Sequence, residues 1–101
     1  MKVIDYEGTT YNVKEMSDWK ADFDKDFNPG EYVEQEIVDY FRDVLPPRNM
    51  WPGYLQVGEP YSHAPDQDGQ YRATYNTFVD VAPGIWKYLG HCFAGQQEHI
   101  K

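Results

Sequence analysis

Between Asn28-Pro29-Gly30 and Pro46-Pro47 the apolar residues Val33, Ile37, Tyr40, Phe41 and Val44 recur at helical spacing. No other stretch of the chain constrains its fold so tightly. Asn28 is an N-cap residue type, Pro29 suits the first helical position, and Glu31 stands three residues after the cap, a capping-box-like arrangement. Pro46 and Pro47 forbid helical continuation, because the ring removes a donor and restricts the residue before it. The pattern predicts one amphipathic helix over about residues 30–45, with those five side chains turned inward.

The flanking segments read as strands and one shorter helix. Lys2–Tyr6 and Tyr11–Val13 alternate around Glu7-Gly8-Thr9-Thr10, which predicts a β-hairpin. Trp19, Phe23 and Phe27 repeat every four residues behind a candidate cap at Ser17, which predicts a helix over about 17–27. Arg48–Gly53 reads as a loop, Tyr54–Val57 as a strand cut off by Gly58 and Pro60, and Tyr61–Gln70 as irregular. Residues 71–81 are strongly β-prone, Pro83-Gly84 is a turn, and Ile85–Phe93 is a returning strand. The tail after Gly95 is expected to fray. The order ββααβββ segregates helices from strands, so the expected class is α+β: a largely antiparallel sheet of four to five strands against one main helix and a shorter one.

Length and composition fit one domain over residues 1–101. The 101 residues leave room for a single hydrophobic core, and 17% aromatic content means that Tyr, Trp and Phe supply much of it. No stretch approaches the ~18 apolar residues of a membrane span, and no basic region followed by an apolar run opens the chain, so the expected location is the cytoplasm. Cys92 is the single cysteine, which excludes an internal disulfide and paired-cysteine zinc modules.

The formal net charge is −8 and is unevenly spread. Residues 1–45 hold 12 Asp and Glu against 5 Lys and Arg, and residues 46–101 hold 5 against 4. Such a surface repels phosphate backbones and attracts basic proteins. Asp18, Asp22 and Asp26 recur every four residues, and Glu36, Asp39 and Asp43 form a similar strip. These six are the candidate partner-binding residues, although a charge run is more often a plain solvated face. Trp51, in the run Met50-Trp51-Pro52-Gly53-Tyr54, joins them as a candidate anchor, because Trp is enriched at interface hot spots; its alternative role is closing the core.

Catalytic and metal chemistry find little support. His63, His91, Cys92 and His99 match no metal-ligand spacing, and the adjacent His91 and Cys92 would point to opposite faces of a strand. Asp66-Gln67-Asp68-Gly69 begins like a calcium loop but has Thr77 where the twelfth-position Glu belongs. Ser17, Ser62 and Cys92 sit in no nucleophile motif, and Ser62-His63 adjacency makes no dyad. No cofactor or metal is expected.

VEQEIVDYF (33–41), GEPYSH (58–63) and YRATYNTF (71–78) resemble segments of small uncharacterised acidic proteins encoded on bacterial mobile elements and phages. The resemblance implies no particular activity. The residues point to a non-enzymatic binding domain for a basic protein surface, including an inhibitor or nucleic-acid mimic directed at a nucleic-acid-processing protein. The rival readings are a small enzyme or ligand-binding domain using the 58–70 loop with Tyr61 and His63, and a structural subunit that dimerises through a strand edge.

Overall fold

Lys2–Tyr6 (β1) and Thr9–Lys14 (β2) pair antiparallel as the alternation predicts. Glu7 and Gly8 join them with φ of 50° and 82°, the double positive φ of a two-residue turn whose twist matches that of its strands. The computed structural model describes residues 1–21, 27–45, 47–61, 65, 68–70 and 73–94, without the side chains of Ala21, Arg48, Trp51, Glu59, Pro60 and Tyr61. After the hairpin comes a six-residue helix, Met16–Ala21 (α1), which starts one residue before the expected cap at Ser17. Met16 N–H donates to Glu34 Oε1 at 2.9 Å, so a residue 18 positions later satisfies an amide that a helix start leaves without an intrahelical partner. Trp19 is buried; the expected continuation through Phe23 falls on residues 22–26, outside the described set.

The largest departure from expectation lies at residues 28–34. The Asn28 N–H does donate to Glu31 Oε2 at 3.1 Å, and Glu31 N–H donates to Asn28 O at 3.0 Å. Gly30, however, has φ of +97°, which a right-handed helix does not admit. The turn therefore closes on itself and the chain leaves it extended, as Tyr32–Glu34 (β3). Gly30 N–H donates to Tyr88 O and Tyr88 N–H donates to Glu31 O, which carries the pairing of β3 with the last strand back into the turn. The main helix, Gln35–Val44 (α2), thus starts five residues later than expected. Gly84 O accepts its first N–H at 3.1 Å.

That shorter helix buries Ile37 and Val38 and packs Phe41 and Leu45 against them. Tyr40 and Val44, expected in the core, are 40% and 53% exposed. Their flank of α2 faces α1, where the Tyr40 ring meets Trp19 at 5.3 Å. Leu45 is extended, and residues 48–51 of the expected Arg48–Gly53 loop belong instead to a strand, Pro47–Trp51 (β4).

The remaining strands are Tyr54–Tyr61 (β5), Thr74–Ala82 (β6) and Ile85–Phe93 (β7). The last matches its expected limits, whereas β5 runs past Gly58 with an irregular register between Val57 and Tyr61. The order ββαβαββββ builds one seven-stranded sheet, β1-β2-β3-β7-β6-β5-β4. It is α+β as expected, but with seven strands instead of four to five, and mixed, because β2 and β3 run parallel. A parallel pair needs a crossover, and α1 lies within it. Both helices cover one face, over a core of Met16, Trp19, Val33, Ile37, Val38, Leu55, Val57, Phe78 and Tyr88. The alternate residues make the second face: Val13, Ala82 and Ile85 at one end, and Gln56, Thr77 and Cys92 at the other. Among the described residues no helix is long and apolar enough to cross a membrane.

Candidate functional site

At 100° per residue, Gln35, Val38 and Arg42 project along one flank of α2. Opposite them stands the β4–β5 hairpin, which contributes Met50 and the turn Pro52-Gly53, and the sheet supplies Leu55 and Trp86 between the two. Met50 pairs with Leu55 across the ladder, so both side chains rise from the helix-covered face. The groove so formed holds about 400 Å³, within the ~300–1,000 Å³ of small-molecule pockets. Its walls are mainly apolar, and Met50 is 58% exposed at the rim.

A chain of polar contacts ties the groove to the outward crest of α2. Trp86 Nε1–H donates to Gln35 Oε1 at 2.7 Å, and Gln35 Nε2–H donates to Asp39 Oδ1 at 2.9 Å. Arg42 Nη2 reaches the same Asp39 oxygen at 3.1 Å, and its Nε lies 3.9 Å from Asp43 Oδ1. Charge-assisted contacts of this kind hold a long side chain in one position. Arg42 is thereby turned toward its own helix, and Trp86 is locked as a flat apolar surface.

The structure brings three of the six candidate acids together. Glu36, Asp39 and Asp43 fall within about 60° of arc on α2, with Arg42 beside them. Asp18 lies in the same helix layer, on α1, where its carboxylate pairs with the Met1 amino group at 2.6 Å and accepts the Glu15 N–H at 2.9 Å. That ammonium first, and the Glu15 amide second, hold the Asp18 carboxyl below its usual range. Asp22 and Asp26 lie outside the described residues, as do His63, Asp66 and His99. Two further acids of the N-terminal half are paired internally: Glu34 with Lys2 at 3.0 Å and Glu31 with Lys14 at 3.4 Å.

Trp51 belongs to β4 and Tyr61 ends β5, but their side chains are outside the description. The neighbours of Trp51 in the singled-out run, Met50, Pro52, Gly53 and Tyr54, all border the groove. Burial, with Cys92 second, pushes the Tyr54 hydroxyl up to about 12, so it stays protonated and is no general base near neutral pH. Cys92 is fully buried and pairs with Tyr75, while His91 pairs with Asn76, so the adjacent His and Cys do point to opposite faces. Among the described residues no group of three or more His, Cys, Asp or Glu side chains is placed to hold a metal ion.

Sequence reasoning missed Gln35, Val38, Arg42, Leu55 and Trp86 as site residues. The spacing 35, 38, 42 was visible as one helix flank, but nothing local joins it to Trp86, 51 residues after Gln35. No family model matches the chain, and neither a curated protein nor a solved structure matches it.

Proposed function

We propose that this chain is a non-enzymatic binding domain that holds a basic segment of another protein along α2, with an apolar side chain of that segment in the groove and its cationic groups on Glu36, Asp39 and Asp43. The observation that carries the reading is the direct junction of the two features. Asp39 is both a crest carboxylate and the acceptor for two groove residues, Gln35 and Arg42. An apolar pocket beside a carboxylate cluster gives an anchor and a filter together: burial supplies affinity, and the crest, which lies behind the groove's own cation Arg42, favours a basic partner and speeds its approach. The net charge of −8 extends that attraction beyond contact distance. A protein that ordinarily holds nucleic acid is one instance of such a partner.

The reading is tested by calorimetric titration of the intact chain with a leucine-bearing lysine peptide and with its glutamate twin, at 50 and 300 mM NaCl. Binding of the lysine peptide alone, weakened at the higher salt, is the expected result, since screening shortens the reach of exposed charges. Equal binding of both peptides, or of neither, contradicts it.

A further inference from the structure

Among the described residues the helix layer stops short of β4, which leaves the groove open. α2 packs over β3, β7 and β5, and Met50 on the edge strand β4 remains 58% exposed although it rises from the same face as buried Leu55. We infer, resting on the reading above, that the partner segment enters as an amphipathic α-helix lying alongside α2, its apolar stripe on Met50 and Trp86 and its basic residues, one turn apart, facing Asp39 and Asp43.

Three features favour a helix over an added strand or a second copy of this chain. Gln35 and Arg42, two turns apart, stand on the groove flank of α2, and a neighbouring helix packs beside such a flank at roughly 8–10 Å between axes. The neighbouring strand edge is a poor template, because Pro47 has no N–H to donate and the β4 ladder shifts register between Pro47 and Asn49. A second copy would bring one acidic crest against another, a juxtaposition that like charges oppose. A basic helix meets no like charge on the crest, and Arg42, the cation on the groove wall, is already held by Asp39 and Asp43. Asp39 and Asp43 are one turn apart, a rise of about 6 Å along the axis, so Lys or Arg at i and i+4 on the incoming helix match them. Asp43, 74% exposed in its side chain, has room to take such a partner.

The test uses the intact chain, labelled with ¹⁵N, and three synthetic 18-residue peptides. The first carries leucines at i, i+3, i+4 and i+7 with lysines one turn apart. The second has the same leucines and lysines with two central prolines, which abolish the helix without removing charge. The third replaces every lysine by glutamate. The Trp86 indole N–H resonance reports groove occupancy, and circular dichroism reports peptide helicity. The expected result is that the first peptide moves the Trp86 resonance and gains helicity on binding, the second binds at least about tenfold more weakly, a difference of about 1.4 kcal/mol, and the third does not bind. Equal affinity of the first and second peptides at Trp86 overturns the helical inference and leaves the basic-segment reading intact. Failure of both lysine peptides, or binding of the glutamate peptide as tight as theirs, overturns that reading and the inference together. Binding of the first peptide that leaves Trp86 unmoved overturns the placement.

Discussion

Replacing Ile37 and Val44 separately by Ala distinguishes the observed face of α2 from the one the apolar spacing suggests. Ile37 is fully buried, in one cluster with Trp19, Phe78 and Tyr88. Its truncation removes three carbon groups at about 0.8 kcal/mol each, or about 2.4 kcal/mol of transfer free energy. The surrounding rings brace one another, Trp19 against Phe41 at 5.3 Å and Phe41 against Phe78 at 5.8 Å, so the hole cannot readily close. A cavity left open adds about 1–2 kcal/mol, for a total of about 3–4 kcal/mol. Val44 is 53% exposed, and Ala is the better helix former, so Val44→Ala should change stability by less than about 0.5 kcal/mol in either direction. Urea denaturation followed by far-ultraviolet circular dichroism measures both, with an unchanged slope confirming that the midpoint shift reports stability. Equal costs at the two positions, or a loss below about 1 kcal/mol for Ile37→Ala, would refute the packing assigned to α2.

Gly30→Ala isolates the backbone reason for the late helix start. No atom lies within 4 Å of an added Cβ, so the cost comes from φ of +97° and should be about 1–2 kcal/mol; a helix beginning at Pro29 would instead be stabilised by the change. Glu34→Gln tests, as a function of pH, the carboxylate that accepts the Met16 N–H at the start of α1. Burial raises the Glu34 pKa, but the Met16 amide and the Lys2 ammonium outweigh it and hold the carboxyl below its usual 4.5. A depressed folded value means that the ionised group stabilises the fold above pH 4.5 and that this contribution disappears as pH falls through the lower folded value. The wild type should therefore exceed the variant by about 1 kcal/mol at pH 7, with the gap closing below pH 4.5; urea midpoints across pH 3–7 check it, and a gap independent of pH would contradict the assignment.

Strands whose information is local were legible in the residues. The β1–β2 hairpin follows from alternation around Glu7-Gly8, and the limits of β7 follow from Pro83-Gly84 and a continuous β-prone run. The start of the main helix was not legible, because Asn28, Pro29 and Glu31 satisfy a helix-start pattern that Gly30 overrides with a backbone angle fixed by pairing to Tyr88. β3 is three residues long and takes its stability from neighbours distant in sequence, Val13–Lys14 and Ile85–Lys87, so no short-range signal marks it. The acidic crest was visible as spacing, and the run around Trp51 was visible as a cluster of unusual residues. That the crest lies next to the groove formed by this run depends on Trp86 and Gln35 meeting across the sheet, a tertiary fact.

Joint action of groove and crest as one binding surface is read from the Trp86 indole N–H resonance during titration with the leucine–lysine helical peptide, in the wild type and in the Asp39→Asn, Asp43→Asn double variant. Asn keeps the size and an oxygen that can still accept from Gln35 and Arg42, so the fold should stand while both carboxylate charges, and with them the ion pairs of Arg42, are gone. The expected result is a saturable shift of Trp86 in the wild type and, in the variant, a shift at the same resonance with affinity about 5- to 30-fold lower, the loss of two exposed charge contacts of up to about 1 kcal/mol each. Identical affinity in the two proteins, or binding in either that leaves Trp86 unmoved, would contradict it.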